Sequence, residues 1–137
     1  MKKIVLFFLL ISSFIFASDA YTPPKGSIER VAIMNALRAE VKSYHKIDVI
    51  FKVEYLMVKD GWAWIQTIPM SKDGKNNYED IIAILHKNKG IWSVAELVCT
   101  EVETEGCLHD PEYFKKLNKK FPNIPEEIIP VIASPVY

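Results

Sequence analysis

Residues 49–68 read VIFKVEYLMVKDGWAWIQTI, two β-type runs on either side of an Asp-Gly pair. The period-2 alternation of the first run predicts a strand. Its apolar face is expected to consist of Val49, Phe51, Val53, Tyr55 and Met57. Asp-Gly between two such runs is typical of a tight hairpin turn, so the second run predicts the returning strand. We expect that strand to stop at Pro69, because proline donates no hydrogen bond to a neighbouring strand.

The chain downstream repeats this arrangement. Residues 78–87 and 91–100 predict two further strands, joined by a turn at Asn88-Lys89-Gly90. In the last strand, one face is expected to carry Trp92, Val94 and Val98. Two consecutive hairpins predict an antiparallel meander, in which each strand lies beside the next one in the sequence.

The segments that flank the strands have helical patterns. Ser27 is a good N-cap, and an apolar side chain follows at every third or fourth position. These apolar residues are Ile28, Val31, Met34, Leu37, Val41 and Tyr44. Asp110 and Pro111 predict the start of a second, short helix, which Pro122 ends. The last residues are apolar and rich in proline, and we expect them to lie extended along the domain surface.

Together these elements predict an α+β fold. An N-terminal amphipathic helix packs on a four-stranded antiparallel meander sheet, because each has an apolar side to bury, and a short helix and a Pro-rich tail follow. The expected organisation is a signal peptide over residues 1–17, an extended leader over 18–26, a single α+β domain over 27–121 and the tail over 122–137.

The N-terminal residues have the pattern of a secretory signal peptide. Lys2 and Lys3 precede an apolar run over residues 4–16, and small residues follow. As a helix the run is roughly 20 Å long, which is too short for a hydrocarbon core of about 30 Å. Cleavage is expected after Ala17 or after Ala20. The sequence therefore predicts a periplasmic or secreted protein that contacts a membrane through its signal peptide before cleavage.

The charge balance argues against one class of partner. The chain has 17 basic and 17 acidic residues, and loss of Lys2 and Lys3 with the signal peptide leaves a net charge of about −2. The basic residues are scattered along the chain. Nucleic-acid binding draws most of its affinity from neutralised phosphates, so nucleic acid is not an expected partner.

The two cysteines, Cys99 and Cys107, enclose a short loop. In an oxidising compartment two such thiols usually pair, which predicts a structural disulfide. A redox pair is an alternative, although redox motifs usually have the closer spacing Cys-x-x-Cys. A metal site formed with His109 is another, although it offers three ligands where a closed zinc site needs four.

The residues that define the sheet also carry a resemblance. They are the run Val49-x-Phe51-x-Val53-x-x-Leu56-x-Val58-x-x-x-Trp62-Ala63, then Pro69, then Trp92-x-Val94-x-Glu96-Leu97. The pattern resembles a family of small exported bacterial proteins of unknown function, with a cystatin-like or reduced NTF2-like α+β fold. The resemblance implies the fold and export, and it carries over no catalytic residue. Cystatin-type inhibitors present a Gln-x-Val-x-Gly loop, and residues 66–70 lack its Val and its Gly.

No residues form a recognisable catalytic or metal-binding motif. The three histidines, His45, His86 and His109, are dispersed, and a catalytic histidine needs a partner within hydrogen-bond reach. Residues 73–80 are rich in oxygen ligands but lack the spacing of an EF-hand, which favours a solvated turn. The sequence therefore predicts no catalytic residue, no bound metal and no cofactor.

The tryptophans offer a candidate binding surface. Trp62 and Trp64 lie on one face of a strand, and Trp92 is expected near them on a later strand. Such aromatics either fill the core or line a ligand or partner face. The candidate face consists of Tyr55, Trp62, Trp64, Gln66 and Trp92. Because both faces of the sheet are apolar and one helix covers only one, the second face is expected to be sealed by the tail, by a second copy or by a partner.

The sequence favours a non-enzymatic function. We expect an exported binding or accessory module of the cell envelope that recognises a protein, a peptide or an envelope component through a sheet face. Self-association through the same face is an alternative to such a partner. The alternative function is a small hydrolase or isomerase with a pocket between helix and sheet, which rests on analogy between folds.

Overall fold

The computed structural model of the chain describes residues 19–100 and 106–130. Helix α1 (Ile28–His45) precedes a sheet of four strands, and helix α2 (Pro111–Lys120) follows it. The strands are β1 (Ile50–Lys59), β2 (Trp62–Met70), β3 (Ile81–Asn88) and β4 (Ile91–Val98). Short 3-10 turns occupy Cys107–His109 and Glu126–Ile128. The α+β class is confirmed. The expected signal peptide and the end of the tail, residues 131–137, lie outside the described residues.

The sheet is the expected antiparallel meander. Its strand order is β1-β2-β3-β4, and each neighbouring pair is antiparallel. Both hairpins turn through two residues with positive φ, Asp60 and Gly61 (49° and 76°) and then Lys89 and Gly90 (49° and 80°). Two positive φ values in succession match the right-handed twist of the flanking strands, which explains why glycine stands second in each turn.

A β-bulge in each edge strand changes the expected faces. In β1, Val53 pairs with Thr67 and Tyr55 pairs with Gln66, so Glu54 is an extra residue without a partner. Phe51 and Val53 therefore face α1, whereas Tyr55 and Met57 face the other way. The expectation of a single face from Val49 to Met57 is wrong, because one inserted residue reverses the alternation.

The second bulge lies in β4. Val94 pairs with Leu85 and Glu96 with Ile84, which leaves Ala95 as the extra residue. Trp92 and Val94 therefore face α1, whereas Val98 belongs to the opposite face. The expectation that Trp92, Val94 and Val98 share one face is wrong for Val98. Bulges in edge strands also increase the local twist, which discourages pairing with another chain.

Strand β2 continues through Pro69 instead of ending before it. Pro69 pairs with Phe51 of β1, and its carbonyl accepts a hydrogen bond of 2.8 Å from the Tyr78 N–H. In an antiparallel strand the nitrogen and the carbonyl of one residue point to the same side. The Pro69 nitrogen therefore points towards β3, whose pairing with β2 begins only at Thr67 and Ile81. No donor is needed there, so the proline is tolerated.

Helix α1 covers the first face of the sheet. Ser27 caps the helix as expected, and Ile33, Met34, Leu37 and Val41 are its buried residues. Ile28, Val31 and Tyr44 are exposed, so the apolar stripe is shorter than the expected one and includes Ile33. In a helix Ile28 and Val31 lie roughly 140–160° around the axis from Ile33, which turns them away from the sheet.

Helix α2 and the tail cover the second face. Phe114 and Leu117 of α2, with Ile124 and Ile128 of the tail, are buried against it. Asp110 caps α2, as expected, by accepting a hydrogen bond of 2.9 Å from the Glu112 N–H. Burial of one large apolar side chain stabilises a fold by about 1.5–3 kcal/mol, so this cluster is a large part of the domain's stability. Both faces of the sheet are therefore covered within the described chain.

The leader is also part of the domain. The backbone of Tyr21 exchanges two hydrogen bonds with Val58 on the outer edge of β1 (2.9 and 2.8 Å). Pro23 is buried, and its carbonyl accepts a hydrogen bond of 3.1 Å from Arg30 Nη1 of α1. The leader thus occupies the part of the β1 edge next to the first hairpin turn.

Candidate functional site

The residues of the predicted binding face divide between core and surface. Trp64 is completely buried and lies 6.5 Å from Phe114 of α2 between ring centroids. The Tyr55 hydroxyl donates a hydrogen bond of 3.0 Å to the carbonyl of Ile128 in the tail, and partial burial raises the pKa of Tyr55. Trp64 and Tyr55 therefore fasten α2 and the tail to the sheet, so the core alternative holds for them.

Trp62 and Gln66 lie on the same face and are partly exposed. The Trp62 ring stacks on His86 with 4.0 Å between centroids and meets Phe121 edge-on at 5.9 Å. The expectation that Trp62 and Trp64 share a face is confirmed, because both belong to the cluster under α2. What remains exposed of this face is its margin, since α2 and the tail cover its centre.

Trp92 does not join the other tryptophans, so its placement in the predicted face is wrong. It packs under α1 on the opposite face, with Lys87 Nζ 5.8 Å from its ring centroid. The reason is strand register. Trp92 pairs with Lys87, whereas Trp62 pairs with His86. His86 and Lys87 are consecutive residues of β3, so their side chains, and those of their partners, point to opposite faces.

A cleft lies at the end of the sheet away from the two hairpin turns. Its volume is about 510 Å³, and known ligand pockets have roughly 300–1,000 Å³. The lining comes from the end of α1, the segment that connects β2 to β3, and the end of β4. The apolar part of the lining consists of Val41, Ile47, Pro69, Ile81, Ile82, Leu97 and Val98. The remaining lining residues are Tyr44, His45, Tyr78, Glu79, Asp80, Cys99 and Thr100.

The segment that carries one side of the cleft is held by its own hydrogen bonds. Asp73 accepts bonds from the Ser71 hydroxyl (2.6 Å) and from the Lys75 N–H (3.0 Å), and these bonds hold the pKa of its carboxyl below the usual range. Residues 73–80 thus form the expected solvated turn. Asn77 bridges to Met70, and the Tyr78 N–H bonds to Pro69. These contacts place Tyr78, Glu79 and Asp80 beside the cleft.

A small ion-pair network lies next to the cleft. Lys42 Nζ is 3.0 Å from Asp48 Oδ1, and Lys72 Nζ is 3.6 Å from Asp48 Oδ2. The hydrogen bond and the charge of Lys42, and then the charge of Lys72, lower the pKa of Asp48. Asp48 follows Ile47 of the cleft in the sequence, so these two lysines are already paired beside it.

The cysteines form the expected disulfide. Cys99 and Cys107 are bonded, with their Cα atoms 5.9 Å apart, so neither thiol is free to join His109 in a metal site. The Cys99 N–H also donates a hydrogen bond of 3.1 Å to the hydroxyl of Tyr113. The end of β4 is therefore tied to the start of α2, directly beside the cleft.

Within residues 19–100 and 106–130, His, Cys, Asp and Glu side chains nowhere gather in threes that could hold a metal ion. Across the same residues, no helix combines the length and the apolar character needed to cross a bilayer.

The sequence suggested a pocket between helix and sheet only by analogy between folds, and it did not predict which residues line this cleft, although two signals pointed to them. Tyr44 and His45 end α1, and Tyr78, Glu79 and Asp80 immediately precede the apolar run of β3. In a meander preceded by one helix, the end of that helix and the start of the third strand lie at the same end of the sheet. Assigning residues 78–80 to the strand itself concealed this neighbourhood.

Comparison of the chain with protein-family models, curated proteins and solved structures finds no match. The resemblance to a cystatin-like or NTF2-like family of exported proteins therefore stays a prediction.

Proposed function

We propose that this protein is an exported, non-enzymatic binding module that holds the apolar part of a cell-envelope component in the cleft at the open end of its sheet. The observation that supports this is the cleft itself, which has a volume of about 510 Å³ and is lined by apolar residues together with polar ones. Clefts of this size that combine an apolar lining with placed polar groups are the usual form of a small-molecule site. The binding surface is the end of the sheet, because α2 and the tail cover the face that carries Trp64.

Export is part of the proposal. The N-terminal signal-peptide pattern and the Cys99–Cys107 disulfide support it, because structural disulfides form and persist in oxidising compartments. The test is the intact mass of the protein recovered from periplasmic and culture fractions of its host. We expect loss of residues 1–17 or 1–20 and of two hydrogens for the disulfide. Recovery of the full chain from Met1 in the cytoplasmic fraction would contradict export.

Binding in the cleft is tested with a neutral apolar fluorophore, N-phenyl-1-naphthylamine. Thr100 is exposed and borders the cleft, so Thr100→Trp should fill it without disturbing the core. We expect affinity for the probe to fall by at least about 10-fold, which corresponds to about 1.4 kcal/mol. The matched control is Ser93→Trp, an exposed hydroxyl residue of β4 outside the cleft. Equal probe affinity in the two variants would place the binding elsewhere.

One observation favours a second candidate, a small hydrolase. His45 lines the cleft together with Glu79 and Asp80, and these are residue types that acid–base catalysis uses. In the described part of the chain, however, no hydrogen bond or ion pair joins His45 to either carboxylate. Turnover of ester or glycoside substrates that is lost in His45→Ala would support this candidate over the binding module.

A further inference from the structure

We propose that the cleft selects a ligand with an apolar body and a positively charged end, such as a long-chain alkylammonium group. This inference rests on the proposed function and names the class of ligand that the same cleft would take. It follows from the distribution of charge and of aromatic rings around the cleft.

The formal charge of the cleft lining is negative. Glu79 and Asp80 line the cleft and are exposed, and among residues 19–100 and 106–130 no lysine or arginine lines it. The nearby lysines Lys42 and Lys72 pair with Asp48 and lie outside the lining, and this network keeps one formal positive charge against the two negative charges of Glu79 and Asp80. A cationic end placed at this rim gains charge pairs, and an anionic end meets repulsion.

The aromatic residues of the lining favour the same ligand. Tyr44 and Tyr78 contribute to the cleft lining from two different segments, the end of α1 and the segment before β3. Both tyrosines are unusually exposed for aromatic side chains, at 69% and 41%. The face of a tyrosine ring attracts cations, and quaternary ammonium groups are well suited to such contacts. The apolar lining then receives the chain that carries the cation.

The experiment compares two probes with the same alkyl chain, decyltrimethylammonium and decanoate. Calorimetric titration of the full mature protein is done below the concentrations at which the probes form micelles. We expect the cation to bind about 10-fold more tightly, because each exposed charge contact changes affinity by roughly 1.5- to 5-fold. The preference should shrink as salt increases, since exposed charges are screened.

Variants test whether the preference for the cationic probe depends on the two carboxylates of the cleft. Glu79→Gln combined with Asp80→Asn should bring the two affinities within about 2-fold, because the cation then loses its charge pairs at the rim. Glu126→Gln, which removes an exposed charge outside the cleft lining, should leave the preference intact. Equal binding of both probes by the unaltered protein would overturn the cation preference and leave the binding module standing. Failure of both probes and of the neutral fluorophore would remove the proposed function itself.

Discussion

The three tryptophans of this protein have different surroundings and therefore contribute differently to its stability. Trp64 is enclosed between the sheet and α2, Trp62 lies at the margin of the same face, and Trp92 lies under α1. Composition gives no hint of this difference, because three tryptophans in two neighbouring hairpins look alike. The surroundings of each tryptophan depend on the strand register and on the helix or tail segment that packs over it.

The first prediction concerns the two tryptophans of β2. Trp64→Ala should lower the free energy of unfolding by about 3–5 kcal/mol, because it empties a fully enclosed site. Trp62→Ala is the matched control and should cost clearly less, since solvent reaches that ring. Urea unfolding followed by circular dichroism measures both losses. Similar losses in the two variants would contradict the enclosure of Trp64 by α2.

A second prediction concerns alkaline stability. The hydroxyl of Tyr21 donates to the carboxylate of Glu29, and this hydrogen bond, aided by partial burial and by the Glu29 charge, raises the pKa of Tyr21 to about 12. The folded state therefore holds the phenol proton of Tyr21 more tightly than the unfolded state does, where the pKa has its ordinary value of 10.0. The contribution of this raised pKa to the free energy of unfolding is complete below the ordinary pKa, and it is lost as the pH rises towards the pKa of the folded state.

The measurement is urea unfolding of the wild type and of Tyr21→Phe at about pH 9 and about pH 11. The difference in stability between the two proteins should shrink over this interval, because at about pH 11 the Tyr21 phenol is largely ionised in the unfolded state while the folded state still holds its proton, and Tyr21→Phe has no phenol to ionise. Lysines and the other tyrosines titrate in both proteins and cancel in the comparison. A constant difference across the interval would show that Tyr21 has an ordinary pKa.

At the scale of elements, the bulges show where sequence patterns fail. The alternation in β1 predicts a strand, and the strand is there, but nothing in the residue types announces that Glu54 is unpaired. A charged residue in an exposed position fits a regular strand equally well. Only the pairing of β1 with its partner strand shows which face each apolar residue occupies after the bulge.

A deletion experiment in β1 follows from this geometry. Deleting Glu54 makes Val53 and Tyr55 consecutive, so they still point to opposite faces, as they do now, and we expect the domain to fold with a modest loss of stability. Deleting Lys52, an exposed charged residue of the same strand, makes Phe51 and Val53 consecutive, although both face α1. Each apolar side chain turned to the wrong face costs roughly 1.5–3 kcal/mol.

The midpoint of thermal unfolding distinguishes the two deletions. The protein without Glu54 should keep a cooperative transition, and the protein without Lys52 should lose most of its stability or fail to fold. If both deletions are equally damaging, the bulge is required for the fold and is more than a local interruption of the alternation.

For the whole molecule, the sequence predicted more of the fold than of the site. Hairpin turns, helix caps and alternation depend on local residues, so the four strands and both helices could be predicted before the structure. The tail was correctly considered as a cover for the second face, because its isoleucines needed burial. The cleft depends on residues from α1, β4 and the segment before β3, and no local pattern brings these together.

We expect the disulfide to stabilise the whole domain. Cys99 and Cys107 close a short loop that joins β4 to the start of α2. Replacing both by serine should lower the free energy of unfolding by about 2.5 kcal/mol, the value for an eight-residue separation in the chain-entropy treatment. Reductant should lower the urea midpoint of the wild type and leave that of the double variant unchanged. A shift in the variant would mean that the reductant acts elsewhere.

The cover of the second face has a consequence for the order of biosynthesis. A ribosome delivers α1 and the four strands first, and Phe114, Leu117, Ile124 and Ile128 follow them. A nascent polypeptide interrupted near Thr100 therefore presents the Trp64 side of its sheet to water, and half-finished sheets of this kind aggregate. The Trp64 side of the sheet is covered only after residues up to Ile128 have been made, so we expect termination near Thr100 to yield insoluble product instead of a smaller working domain.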